Sequence, residues 1–239
     1  MKVFFAGAGG AIGRRLTPLL VAVGHTVIGT TRSADKAEAI VKLGAQPVTV
    51  DVFDAAALTA AVVAARPDAI IHQLTDLAFA PGTPQYEEGL KRNARIRVEG
   101  TANLVAAAKA AGVKRMVAQS VAWLYKPGPR TRTENDPLAA PEGAASTTID
   151  GVNALESAVL ALPEGVVLRF GFFYGPGTWS PGGPLRPPAV HIDAAAQATA
   201  LALTKAKPGI YNVADDDPML SSDKAKRELG FKPGFRVKP

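Results

Sequence analysis

Short apolar runs recur along this chain, and between them lie longer segments whose apolar residues repeat at helical spacing. The runs predict strands at Lys2–Ala6, His25–Thr31, Gln46–Val50, Ala69–Gln73, Arg115–Gln119, Gly165–Phe170 and Gly209–Val213. The segments between them predict helices at Ala11–Val23, Ala34–Leu43, Ala55–Ala65, Gln85–Ala111, Ser146–Ala161 and Ile192–Thr204. A short closing helix, Ser221–Leu229, is stopped by Gly230. Strands that alternate with helices imply a parallel sheet wrapped on both faces. Right-handed crossovers then give a doubly wound, Rossmann-type α/β sheet of about seven strands, ordered 3-2-1-4-5-6-7. Its ligand crevice lies at the carboxyl ends of strands one and four, where the order reverses.

The first turn after the first strand carries the clearest chemistry. Gly7, Gly10 and Gly13 follow Lys2–Ala6 at three-residue spacing, and Ala11, Ile12 and Gly13 open the next helix. Glycines let backbone approach a dinucleotide pyrophosphate, and the helix start presents unpaired N–H groups and a positive dipole end. The alternative is an ordinary glycine-rich turn, but strand, turn and helix stand in the order that phosphate binding needs.

Composition narrows the remainder. The 239 residues suit one domain, residues 1–239, with a small C-terminal substrate lobe built from 175–190 and 214–239. Lys126–Gly143 and Gly175–Pro188 are rich in proline and glycine and follow strands that end at the crevice, so both are candidate substrate loops. There is no cysteine, which excludes disulfides and thiolate chemistry, and His25, His72 and His191 lie too far apart for a zinc motif. No metal site is expected. Asp215, Asp216 and Asp217 read as a solvated turn. Net charge is +6, but the basic residues are dispersed, and helix faces such as Lys91, Arg92, Arg95 and Arg97 read as solvated. Nucleic acid is therefore not an expected partner. No apolar run has the length of a membrane span, and a cytoplasmic location is expected.

Taken in order, the segments GAGGAIG at Gly7–Gly13, TTRS at Thr30–Ser33, VDVFD at Val50–Asp54 and IIHQLT at Ile70–Thr75 resemble the short-chain dehydrogenase/reductase superfamily. The likeness is to its extended or atypical branch, the NAD(P)-dependent epimerase/dehydratase-like proteins. It continues through Glu99–Val117, Ala118–Ser120, LRFGFFYGPG at Leu168–Gly177, His191–Asp193, Tyr211–Pro218 and Ser221–Pro233. The resemblance implies that Asp51 and Val52 meet the adenine and that Leu74 and Thr75 lie toward the ribose and nicotinamide. It also implies that Gly171, Phe172 and Tyr174 line the nicotinamide pocket. A homodimer through Gln85–Ala111 is a further implication.

Strand two ends in Gly29-Thr30-Thr31-Arg32-Ser33, without the carboxylate that usually holds an NAD ribose. Arg32 suits a 2′-phosphate, so NADP is expected before NAD. A solvated or adenine-stacking Arg32 is the alternative.

One departure limits the chemistry. The superfamily's Tyr-x-x-x-Lys pair is absent: none of Tyr86, Tyr125, Tyr174 and Tyr211 has lysine four residues on. Aligned through Glu156, Thr148 and Val152 stand at the two positions. Ser120, at the end of strand five, and Tyr125, in the loop beyond, are the candidate catalytic residues; a turn serine and a packed loop aromatic are the alternatives. Trp123 and Trp179 offer walls for a flat substrate. Two joins, Gly183–His191 and Pro218–Ser221, are shorter than the resemblance implies. The expected function is an NADP-dependent oxidoreductase acting on a small carbonyl or conjugated carbonyl compound. A non-catalytic NAD(P)-binding sensor of the NmrA type and a nucleotide-sugar epimerase or dehydratase are the competing readings.

Overall fold

In the computed structural model, which describes residues 1–77 and 83–237, the chain alternates strand and helix from its first residues. The order begins β1 (Lys2–Ala6), α1 (Ala11–Ala22), β2 (Thr26–Thr31), α2 (Ala37–Lys42), β3 (Gln46–Thr49), α3 (Ala55–Ala65) and β4 (Ala69–His72). It continues with α4 (Pro84–Arg95), α5 (Thr101–Ala110), β5 (Arg115–Val121), α6 (Ser146–Leu160), β6 (Glu164–Phe170), β7 (Phe172–Tyr174) and β8 (Ala189–His191). Then come α7 (Ile192–Lys205), β9 (Gly209–Val213) and α8 (Asp223–Leu229).

Seven strands form one parallel sheet, ordered β3-β2-β1-β4-β5-β6-β9, which is the order that right-handed crossovers predict. Side chains alternate across it. Val3 and Phe5 point into one apolar layer with α1, α7 and the closing segment; Phe4 and Ala6 point into the other, with α3, α5 and α6. Both faces are thus dry, which is why these strands read as unbroken apolar runs. Ala225, Leu229 and Phe231 join the same core as β6 and β9, so α8 closes the sheet's edge. No helix among the described residues is long and apolar enough to cross a membrane.

Local chemistry sets the element ends. Asp54 caps α3 by accepting the Ala57 N–H at 2.9 Å. Arg115 spans the C-terminus of α7, donating to the carbonyls of Leu203, Ala202 and Ala206 at 2.6, 2.9 and 2.8 Å, and so satisfies acceptors that a helix end leaves free.

Three details differ from the sequence expectations. The segment from Ala34 begins as a single tight turn before α2. The expected Gln85–Ala111 helix is continuous but carries a π-type turn at Ile96–Gly100 between α4 and α5. A second, two-stranded parallel sheet pairs β7 with β8, joining Phe172, Phe173 and Tyr174 to Ala189, Val190 and His191. Its strands have three residues each, too few for a period-two pattern to register. The Gly175–Pro188 loop is the connection between them.

Candidate cofactor and substrate site

The turn after β1 is shaped for close approach. Gly7 has φ +104°, and a Cβ there would come within 2.8 Å of the Gln73 backbone. At Gly13 a Cβ would run into the Ala8 carbonyl, which locks α1 down onto β1. The turn closes by Gly10 N–H donating to the Gly7 carbonyl at 3.0 Å. Gly10 caps α1 without any side-chain hydrogen bond, and the first turn carries no acidic residue. Ala11, Ile12 and Gly13 therefore present a helix N-terminus with no side-chain cap and no acidic residue in its first turn, a fit to pyrophosphate.

The crevice walls follow from the strand order. At the end of β2, Thr31 Oγ1 accepts the Ser33 N–H at 3.2 Å, which turns the chain sharply and leaves Arg32 exposed. Beyond β3, Asp51 Oδ1 accepts the Phe53 N–H at 3.0 Å, and Asn103 Nδ2 donates to the Val52 carbonyl at 2.9 Å. Gly100, on the π-type turn, faces Val52. At the end of β4, Leu74 N–H donates to His72 Nδ1 at 3.3 Å, and Asp76 N–H donates to Asn93 Oδ1 at 3.1 Å. Thr75 lies between these two anchors. His72 is sealed, its Nε2 3.0 Å from Thr101 Oγ1, and burial, helped by the charge of Arg97, pushes its pKa down to about 4. It is a neutral structural group.

Beyond β6, Gly171 is pressed against β8, where a Cβ would lie 2.8 Å from the Ala189 backbone. Phe172 stacks on Trp123 with ring centroids 5.1 Å apart and an interplanar angle of 12°. The Arg186 guanidinium lies 4.1 Å from the Phe172 ring centroid. Tyr174 donates to Asp215 Oδ2 at 2.7 Å, Asp216 pairs with Lys226 at 2.5 Å, and Asp217 Oδ1 accepts the Met219 N–H at 2.7 Å, so all three consecutive aspartates have partners in this chain. Trp179 meets Tyr86 edge-on at 5.9 Å and joins the β7–β8 loop to the start of α4. Among the described residues no group of acidic and histidine side chains is arranged to hold a metal ion.

The two candidate catalytic hydroxyls face inward. Ser120 is 1% exposed and donates to Glu156 Oε1 at 2.6 Å. Tyr125 donates to Asn212 Oδ1 at 2.7 Å, packs with Ala122, Ala214 and Leu220, and burial raises its pKa. In this arrangement both protons are committed to buried acceptors. Thr148 is half-buried on α6, and Val152 sits in an apolar cluster with Val121, Leu124 and Ile149.

Sequence reasoning missed the charge network beneath these residues. Glu156 accepts from Arg169 Nε at 2.9 Å and Nη2 at 2.6 Å as well as from Ser120. Burial opposes the charge of Arg169, but the Glu156 hydrogen bonds and charge outweigh it and hold its pKa above the usual value. An arginine inside the apolar run of β6 was the available signal, because a guanidinium at such a position requires a buried partner. Arg97 is the larger correction. It reads as part of a solvated face, yet it is 4% exposed. The π-type turn and the contact with α6 bring it inside.

Comparison with known proteins agrees with this geometry. The model of the NAD(P)H-binding family matches residues 7–149. A 3-diazoavenalumate denitrifying reductase of a Streptomyces species is 38% identical over 240 residues, spanning 91% of this chain and 77% of the relative. Among solved structures, UDP-glucose 4-epimerase of Thermotoga maritima with UDP-glucose superposes with a TM-score of 0.77 at 16% identity, covering 99% of this chain and 94% of the other. UDP-glucose 4-epimerase of Thermus thermophilus in complex with NAD gives 0.74 at 21% identity, covering 99% and 95%. These structures share the fold, so the resemblance to the extended short-chain dehydrogenases/reductases holds at that level.

Proposed function

This chain belongs to the NAD(P)H-binding family, and from that premise we propose that it is an NADP-dependent oxidoreductase whose acceptor needs no phenolic acid from the protein. Gly7, Gly10 and the N–H groups of Ala11, Ile12 and Gly13 hold the pyrophosphate. Asp51 and Val52 meet the adenine, and Leu74, Thr75 and Gly171–Tyr174 border the nicotinamide. Exposed Arg32, beside a β2 end without a carboxylate, takes the 2′-phosphate, which supports NADP over NAD.

One observation carries the choice of chemistry. The positions of the usual tyrosine and lysine hold Thr148 and an apolar-packed Val152, and Ser120 and Tyr125 donate inward. A threonine hydroxyl is too weak an acid to replace a phenol. When bound, the reduced nicotinamide supplies a hydride, and it is left oxidised. A conjugated carbonyl compound suits such a site, because the enolate that forms on hydride addition takes its proton from water. The Streptomyces relative, named for reducing and denitrifying a diazo compound, supports the same view. Replacement of a diazonium group by hydride releases nitrogen and needs no added proton.

The test is a panel of ketones, enones, quinones and aryl diazonium compounds with NADPH and with NADH, following loss of reduced-nicotinamide absorbance. Turnover of enones or diazonium compounds in preference to simple ketones is expected. NADPH binding without turnover of any compound would overturn this reading in favour of a sensor.

A further inference from the structure

Among the described residues, Arg97 sits in the interior with no hydrogen-bond or ion-pair acceptor of its own. Its side chain is 4% exposed. It starts from the π-type turn, a feature that recurs at functional sites, and crosses to α6. There it packs against Gly151, where a Cβ would stand in contact, 3.4 Å from both Cβ and Cδ of Arg97. Beyond Gly151 the guanidinium is near enough to interact with Glu156 on α6 and His72 at the end of β4. His72 stands at the carboxyl end of β4, and Glu156 holds Ser120 near the carboxyl end of β5, the strand ends that border the proposed nicotinamide site.

Among the described residues no carboxylate pairs with it directly. Glu156 already accepts three hydrogen bonds, one from Ser120 and two from Arg169. His72 is neutral. Burial draws the pKa of Arg97 down to about 10, with Glu156 opposing, so the group remains charged near neutral pH. Two guanidiniums thus share one carboxylate. Among the described residues Arg97 has no hydrogen-bond or ion-pair acceptor, and 4% of its surface stays open. A buried, unpaired cation is costly unless an anion completes it.

We propose that Arg97 is the anion-binding residue of the acceptor subsite, holding a carboxylate or the enolate oxygen of a bound acceptor beside the nicotinamide. It places on the α4–α5 helix a positive charge that α6, with Val152, does not provide. Negative charge that develops on the acceptor is stabilised by a cation fixed in advance in a low-dielectric site. The proposal rests on the oxidoreductase reading for its purpose, but its test does not.

Benzoate is the probe, titrated into the full-length protein saturated with NADP+ and followed by tryptophan fluorescence. Arg97→Met should weaken benzoate binding by at least about 10-fold, as expected for loss of a charged hydrogen bond. Arg97→Lys should recover part of that loss and Arg97→Gln should not. Unchanged melting temperature and NADPH affinity show that each variant is folded; if Arg97→Met fails this check, the Lys and Gln pair carries the comparison. Equal benzoate affinity in wild type and the charge-removing variants, or no binding to wild type, overturns the subsite. Wild-type binding that depends on Arg97, in a protein that turns over no acceptor, leaves the subsite standing and refutes the oxidoreductase reading instead.

Discussion

Replacing Glu156 with alanine removes, among the described residues, the carboxylate that Ser120 and Arg169 share in the buried network under the crevice. Three hydrogen bonds go with it: 2.6 Å from Ser120 and 2.9 and 2.6 Å from the two Arg169 nitrogens. Arg169, 5% exposed, is left as an unpaired interior cation beside Arg97. Breaking one partner of a buried pair typically costs about 3–5 kcal/mol, more than the pair contributes, because the remaining charge stays desolvated. For a chain of this size each kcal/mol moves the melting temperature by roughly 2–4 °C, so a drop of roughly 6–20 °C is expected. Circular dichroism melts at neutral pH read it directly. The paired variant Glu156→Leu with Arg169→Met separates the explanations. If charge desolvation dominates, removing both partners costs less than Glu156→Ala alone. A single-variant loss under about 1 kcal/mol, or a double variant worse than the sum of the singles, would refute the reasoning.

Arg32→Ala should weaken NADPH binding by about 1–3 kcal/mol with a much smaller effect on NADH, measured by titration; equal losses would mean that Arg32 does not read the 2′-phosphate. Gly10→Leu should abolish nicotinamide binding and leave the melting temperature nearly intact. Its Cβ would meet only the Gly7 carbonyl, at 3.2 Å, while the remainder of the side chain fills the phosphate space. Tyr125→Phe should lower stability by about 1–3 kcal/mol, because Asn212 Oδ1 loses its donor, without lowering kcat. A tenfold fall in kcat in that variant would restore the phenol as an acid. His72 titrates at about 4 when folded and near 6.5 when unfolded. Its contribution is complete above the unfolded value and is lost as pH falls from about 6.5 to 4, a change of roughly 3 kcal/mol. Urea midpoints across that range, compared with His72→Asn, should show the difference.

Local pattern determined the sheet. Dry faces on both sides require apolar runs, and runs that alternate with amphipathic helices leave little freedom in strand order. The same local logic marked Gly7 to Gly13, because a tight turn and an exposed helix start are both properties of neighbouring residues. The absence of Tyr-x-x-x-Lys was equally visible, since that pair sits within one helix. Tertiary structure decided where protons and charges go. Ser120 looks free at a strand end, yet Glu156, thirty-six positions later, takes its proton. Tyr125 looks exposed in a proline-rich loop, yet it is tied to Asn212 on β9. Arg97 reads as one more cation on a basic helix. The π-type turn and the packing against Gly151 on α6 turn it inward, and those depend on how α4, α5 and α6 pack. Hydrophobic periodicity is a sum over many residues and survives averaging, whereas the ionisation and direction of one side chain depend on a few long-range contacts.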